Sequence, residues 1–413
     1  MRKSASYALA LLIAAGAPAS SEAAGVMRAK DFADHIGVNV HVAYTDSDYR
    51  DPGAVLGALR YLGVSHVRDG TLRSGMQGQA RTAFQQLFAA GIGFDFFVQG
   101  DITDALGNLR AVAEAFPTAI DAIEGPNEIN NFPVSYDGKT GHVGAQAYQA
   151  ALYAAVKADP VLGKLPVYNF TDWPETAGRA DYVNVHPYAK NGDQPRGWIA
   201  GGIAAYAPLM PGFAPVMTEG GYYTLPGYGW GGVDEATQAK LMVNFFLDGV
   251  DLGAARIFSY QLLDAYADKT GSDQEKHFGL FDVQYKPKPA ATALRTLLML
   301  IHDNGVTAQT FTPEPLGYKL DGLPATAHSL VLQKSDGWRF ILLWNEPDIW
   351  DEKQNQPIAV SPKAVILRLT ARHAVVTVND VTAGAQSIAT LTQTDQVPLQ
   401  LADVPLVIAV SPK

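Results

Sequence analysis

Between residues 37 and 305, short continuous apolar runs alternate with longer stretches whose apolar residues recur at three- and four-residue spacing. The short runs fall at 38–42, 64–68, 94–99, 122–126, 167–170, 182–186, 215–219 and 256–260. They are β-prone, too short for helices, and lack the alternation of a strand with one wet face. The stretches at helical spacing are clearest at 54–62, 80–90, 105–116, 145–158, 238–252 and 290–301. Apolar strands separated by helices predict a parallel sheet covered on both faces. Eight strands over about 265 residues match the size and repeat number of an α/β fold of the (β/α)8, or TIM, barrel type. The fifth unit is the least regular, with room for only a short turn of helix before residue 182. An open doubly wound sheet would need a phosphate-cradling glycine loop after the first strand, and Val42-Ala43-Tyr44-Thr45-Asp46 is not one.

After residue 301 the pattern changes. Strand-like runs at 329–333, 340–344, 365–369, 375–379 and 406–410 are punctuated by Pro, Gly, Asn and Asp, with no long helix between them. This predicts a C-terminal all-β, β-sandwich-like domain over 308–413, packed without a linker against a barrel over 25–307. Residues 1–24 carry a basic start, an uncharged Ala/Leu-rich run and small residues up to Ala23-Ala24, the pattern of an export signal peptide. Cleavage there would move the net charge from −10 to −11 and place the mature protein in the periplasm or outside the cell. No other segment approaches the ~20 apolar residues of a membrane span.

Composition narrows the chemistry. Cysteine is absent, which removes disulfides, thiolate metal sites and cysteine nucleophiles; the chain is long enough to bury a core without them. Acidic residues outnumber basic ones, 41 to 31, which argues against nucleic acid and anionic membranes as partners and is compatible with neutral carbohydrate. The histidines lack zinc spacing, so neither a metal nor a cofactor is expected.

In such a barrel the chemistry sits at the carboxyl ends of the strands. Those ends offer His41, Arg68, Gln99, Asn127 with Glu128, Asn169 and Asp172, His186 with Tyr188, Glu219 with Tyr222, and Tyr260 and Gln261 with Asp264. Glu128 and Glu219, 91 positions apart, each stand where a run gives way to a turn. Two carboxylates on one face suffice to split a glycosidic bond: one protonates the leaving oxygen, the other attacks or stabilises the anomeric carbon. The glycine/aromatic loop 220–232, which includes Trp230, and the acidic loop 264–273 suit a sugar ligand. The acidic loop could also hold calcium, but its spacing does not match an EF-hand.

Asn127-Glu128 on the fourth strand, with Glu219 on the seventh, resembles the signature of the large clan of retaining (β/α)8 glycosidases, clan GH-A. The added β-domain is similar in layout to the family 39 glycosidases. The resemblance implies that Glu128 is the acid/base, with a raised pKa supplied by the second carboxylate, and that Glu219 is the nucleophile. It further implies that Arg68 keeps Glu219 ionised, that Asn127 holds the hydroxyl beside the anomeric carbon, and that His186-Pro187-Tyr188 orients the nucleophile. Where many members present a tryptophan on the eighth strand, this chain has Tyr260 or Gln261. Glu124, deeper on the fourth strand, is expected to be structural. A second match, Asn345-Glu346-Pro347, lies in the β-only region without a partner strand and is expected to be a surface turn. The implied activity is secreted, retaining hydrolysis of a polysaccharide or oligosaccharide. A transglycosylase using the same residues and a non-catalytic carbohydrate-binding barrel are the alternatives.

Overall fold

The computed structural model describes residues 25–173 and 175–412, so the export-signal pattern at 1–24 lies outside the described residues. Eight parallel strands are present: β1 (Ile36–Asn39), β2 (His66–Gly70), β3 (Gly93–Phe97), β4 (Ile120–Glu124), β5 (Val167–Tyr168), β6 (Val183–Val185), β7 (Pro215–Met217) and β8 (Ile257–Ser259). Their hydrogen-bonded order is β5-β4-β3-β2-β1-β8-β7-β6, and one parallel bridge between Tyr168 and Tyr182 nearly closes the ring. The strands are shorter than the apolar runs that predicted them, because several runs continue past the ladder into the mouth of the barrel. The two glutamates therefore stand just beyond their strands.

A short helix, α1 (Ala29–Asp34), precedes the barrel. Thereafter α2 (Pro52–Leu62), α3 (Gly78–Ala89), α4 (Ile102–Ala115) and α5 (Gly141–Ala158) follow β1 to β4, and α6 (Pro195–Tyr206), α7 (Glu235–Asp251) and α8 (Pro289–Ile301) follow β6 to β8. Local chemistry sets these limits. In α2, Asp51 accepts from the Gly53 and Ala54 N–H groups, Pro52 occupies the first turn, and Gly63 ends the helix at φ 79°. Among the described residues no helix follows β5. Asn169 organises that irregular connection instead, donating to the Phe170 and Thr176 carbonyls at 2.8 and 2.9 Å and accepting from the Gly178 N–H at 2.8 Å. Side-chain partners replace the helix in satisfying the backbone.

The C-terminal strands are β9 (Tyr318–Asp321), β10 (Ala327–Gln333), β11 (Arg339–Asn345), β12 (Lys363–Asp380), β13 (Ala389–Leu401) and β14 (Leu406–Val410). They form one mixed, seven-stranded sheet whose outermost member is the two-residue strand Met27–Arg28, paired with Leu332 and Gln333. The register between β12 and β13 shifts between Arg368 and His373. One half of β12 pairs with β9 and the other with β14, while β13 runs along both. Val365, Leu367 and Leu399 pack in one apolar cluster with Ile341, Val376 and Ile408. The sandwich-like core thus comes from one sheet folded over a long strand.

The other face of the sheet shares a core with the barrel through Leu330, Leu332, Phe340, Leu342 and Val407. Helix α7 is caught between the two and is buried from Thr237 to Val250 except at Lys240. Asn345-Glu346 lies at this seam and is not the surface turn expected of it. Its neighbour Trp344 is fully buried and donates from Nε1 to Asp248 at 2.9 Å, which draws Glu346 down beside Asp248. Among the described residues no helix is long and apolar enough to cross a membrane.

Candidate active site

Arg68, the middle residue of β2 and 1% exposed, lies at the centre of the barrel mouth. Its guanidinium makes paired bonds to both Glu124 oxygens at 2.7 and 2.8 Å, donates to Asn39 at 3.0 Å and Asn127 at 2.7 Å, and contacts Glu219. A planar fork with five donors suits such a junction, which a lysine could not fill. Glu124, fully buried, holds Arg68 in place from below. Beneath both lies Asp95, whose carboxyl is kept well above the usual range by burial and then by the Glu124 charge.

Glu219 is 8% exposed. Besides Arg68 on Oε1, it accepts from the Tyr188 hydroxyl at 2.8 Å on Oε2, with His186 Nδ1 3.7 Å from that oxygen. Burial, and then the charges of Glu219 and Glu128, push the Tyr188 hydroxyl well above its ordinary pKa, so it remains a donor.

Glu128 sits two bonds of chain beyond Gly125-Pro126 in the left-handed region, at φ 40°. That conformation is costly for a residue with a side chain. It is held by the Thr171 hydroxyl, which accepts from the Glu128 N–H at 2.8 Å, and by Asn131 and Phe132 N–H groups donating to the Glu128 carbonyl. The carboxylate accepts from Asn131 Nδ2 at 2.8 Å, and its Oε1 lies 3.0 Å from His186 Nδ1. Burial pushes Glu128 up, but the hydrogen bond and charge of His186, then Asn131 and Arg68, pull it down to about 2. The raised value expected from a neighbouring carboxylate is therefore absent, because His186 stands between the two glutamates.

The histidine's tautomer follows from its other side. Asn184 donates from Nδ2 to the Asn169 carbonyl at 3.1 Å, so its Oδ1 accepts from the Thr218 hydroxyl at 2.8 Å. With its proton committed, Thr218 Oγ1 accepts from His186 Nε2–H at 2.9 Å. Nδ1 then has two states. As imidazolium it donates to ionised Glu128; as neutral imidazole it accepts from protonated Glu128. The pair holds one proton that can sit on either partner.

The cavity over these groups has a volume of about 940 Å³. Of the side chains predicted to meet substrate, His41, Arg68, Gln99, Asn127, Glu128, Tyr188, Glu219, Trp230 and Tyr260 line it. His186 lines the adjoining space. Burial and then the Arg68 charge push the His41 imidazole down to about 4, and its buried Nε2 has no partner. Three predicted residues are not brought to the cavity. Tyr222 donates to the Asp193 carbonyl at 2.8 Å, Gln261 accepts from Tyr49 at 3.0 Å, and Asp264 pairs with Lys288 at 2.7 Å and the Gly279 N–H at 2.8 Å. They tie loops together. Of the two eighth-strand residues expected at the floor of the site, Tyr260 alone reaches the cavity.

Sequence reasoning passed over Asn39, Glu275 and Phe278, which also line the cavity. Asn39 carried a signal: a polar side chain inside an apolar run. Glu275 and Phe278 lie just past the acidic loop, whose Asp268 is occupied by the loop's own Thr270, Gly271, Ser272 and Asp273 N–H groups. Glu128, His186 and Glu219 each present a ligand atom within 4.8 Å of the others. That set could ligate a cation, but Arg68 already supplies Glu219 with its positive charge.

No protein-family model matches the chain, and neither does any curated protein sequence. Among solved structures the chain is similar to a family 39 glycoside hydrolase from the gut symbiont Bacteroides cellulosilyticus WH2, at TM-score 0.62 and 13% identity over 92% of this chain and 82% of that one. It is also similar to the GH39 enzyme from Xanthomonas axonopodis pv. citri, at TM-score 0.58 and 11% identity over 95% and 96% of the two chains. A monomeric β-xylosidase from Caulobacter crescentus CB15 aligns at TM-score 0.56 and 15% identity over 94% and 98%. The barrel with its C-terminal sheet is the fold that these proteins share with this chain.

Proposed function

We propose that the protein is a retaining glycoside hydrolase acting on a polysaccharide or oligosaccharide, with Glu219 as nucleophile and Glu128 as acid/base. The observation that carries this reading is the spacing of the two carboxylates: an oxygen of each lies within 4.8 Å of the other. Double displacement uses carboxyl groups about 5–5.5 Å apart, whereas an inverting pair stands about 6.5–9.5 Å apart to admit a water. Solved structures with the same fold include enzymes named as family 39 glycoside hydrolases and as a β-xylosidase.

In this mechanism Glu219, positioned by Arg68 and Tyr188, attacks the anomeric carbon and the glycosidic C–O bond breaks. Glu128 delivers its proton to the departing oxygen. That proton is the one shared with His186, and an arriving glycosidic oxygen gives Glu128 a reason to hold it. In the second half, Glu128 takes a proton from water, the water oxygen bonds to the anomeric carbon, and the bond to Glu219 breaks. Asn127, fixed by Arg68 and by Gln99 donating to its carbonyl at 3.0 Å, is placed to bind a hydroxyl of the reacting ring. The pattern at 1–24 supports a site of action outside the cytoplasm.

The test is release of reducing ends from a panel of polysaccharides and aryl glycosides, with wild type beside Glu219→Gln and Glu128→Gln. Release that both variants abolish supports the reading and names the sugar. Release that survives both places the chemistry elsewhere. Product anomericity followed by NMR separates retention from inversion.

A further inference from the structure

The site has a second compartment. A groove of about 870 Å³ adjoins the cavity, and Glu128, Tyr188 and Lys190 line both, while Glu219, Arg68 and Asn127 line the cavity alone. We propose that this groove is the leaving-group side of the substrate site and receives a run of further sugar rings stacked on Trp198 and Trp173. The proposal rests on the glycosidase reading above.

Position comes first. The ring attacked by Glu219 has to lie in the cavity that Glu219 lines, and its glycosidic oxygen has to meet Glu128. Glu128 stands on the crest between the two spaces, so a chain that continues past the cut bond passes into the groove.

The groove exists because β5 is followed by no helix among the described residues. The space such a helix would take is left between the 169–182 connection and α6. The α6 face that forms the floor is made of Gly197, Gly201, Gly202 and Ala205. A Cβ at Gly197 or Gly201 would meet nothing within 4 Å, so packing does not require glycine there. Glycine is disfavoured inside a helix relative to alanine, and what these positions gain is a clear floor.

The chemistry of the walls selects the occupant. Trp198 is 37% exposed and Trp173 71% exposed, both into the groove. Trp198 is oriented by Nε1 donating to Asp193 at 3.2 Å and by Lys190, whose ammonium lies 5.9 Å from the ring centroid. Indole faces beside charged groups match a saccharide, which presents apolar ring faces and hydroxyl edges together. An acyl or alkyl leaving group would leave Asp193 and Lys190 against hydrocarbon, which is unfavourable.

The experiment uses the full chain, the sugar identified by the panel, and two variants: Trp198→Ala, which removes a stacking face, and Gly201→Phe, which fills the floor. The readout is the ratio of kcat/KM on an oligosaccharide with several rings beyond the cut bond to kcat/KM on the aryl glycoside of the same sugar. Both variants are expected to lower that ratio by about two- to tenfold, the scale of one lost aromatic contact. Equal losses on both substrates, or an unchanged ratio, would overturn the proposal. So would a wild-type rate that rises from methyl to octyl glycoside but not with added sugar rings. Quenching of tryptophan fluorescence by the oligosaccharide in Glu219→Gln separates the two readings. Quenching that Trp198→Ala abolishes, in a protein that hydrolyses nothing, would keep the groove and remove the hydrolase.

Discussion

The dipeptide Asn-Glu closes an apolar run twice in this chain, at 127–128 and at 345–346, and the two copies meet opposite surroundings. At the barrel mouth, Glu128 is met by donors: Asn131, His186 and, further off, Arg68. At the seam between barrel and sheet, Glu346 meets another carboxyl, Asp248, with His328 Nε2 3.3 Å from its Oε2. Burial and then the Glu346 charge push Asp248 up to about 8, although Trp344 donates to it and Arg196 lies 3.0 Å away. Asp248 Oδ2 and Glu346 Oε1 are buried and receive no N–H or O–H from elsewhere, so their contact requires a shared proton. Burial pushes both glutamates up; at Glu128 the hydrogen bond and charge of His186 override it, whereas at Glu346 the Asp248 hydrogen bond and the Arg196 charge offset it only in part. A short pattern around a glutamate therefore carries no information about its ionisation, and the element opposite decides it.

The sharpest break of the comparison is at Glu219, which has a counterpart only at the barrel mouth. Glu219→Gln is expected to lower kcat/KM on order of 10⁴-fold or more on every substrate, since no covalent intermediate can form. Next is Glu128→Gln, expected to cost about 10²–10⁴-fold on substrates with poor leaving groups. Its cost should shrink on aryl glycosides of acidic phenols, which leave without protonation; an equal loss on both series would remove Glu128 from the acid role.

His186→Ala tests the shared proton. An isolated carboxyl releases a proton at lower pH than the carboxyl–imidazole pair, so the alkaline limb of kcat/KM should move to lower pH, with about a tenfold loss at neutral pH. A limb that stays in place would assign that ionisation to another group.

The smallest effect on activity belongs to Glu346→Gln, expected to leave kcat/KM within about twofold because its partners Asp248 and His328 do not line the cavity. Its effect is on stability, and the sign follows from Asp248. A native carboxyl that titrates at about 8 keeps a proton that the unfolded chain has already lost, so wild-type stability falls as pH rises from about 4 to 8. With glutamine at 346, Asp248 ionises beside Arg196 and that decline becomes shallower. The variant should be more stable than wild type at pH 8, by about 1–3 kcal/mol, and closer to it at pH 5. Calorimetric Tm values at the two pH values check this, and an equal Tm difference at both would contradict the shared proton.

Much of the architecture was legible because burial writes itself into the chain. Strands covered on both faces must be apolar throughout, so all eight barrel strands showed as runs; six of the seven helices that cover them showed at helical spacing, and the glycine-rich α6 did not. Where an element has an unusual neighbour, that logic failed. Helix α7 is covered on both sides, so its buried Gln238, Asn244 and Asp248 read as a wet face that does not exist. The folded-over β12 also escaped notice, since 365–369 and 375–379 read as two strands and are halves of one. In the site, the ends of β2, β4 and β7 pointed to Arg68, Asn127, Glu128 and Glu219. Tyr222, Gln261 and Asp264 matched the same description and turned inward to bind loops.

The sequence by itself determined the alternation of strands and helices, the change to an all-β region after residue 301, and the two glutamates at the ends of the fourth and seventh runs. These are local or periodic properties, written by which side chains must avoid water. The tertiary structure alone decided the proton on the Glu128–His186 pair, the Arg68 junction with Glu124 and Asn39, the helix-free connection that opens the groove, and the pairing of Glu346 with Asp248. Each depends on groups far apart in the chain meeting within a few ångströms, and at that range the sign and direction of each neighbour outweigh the identity of the residue itself.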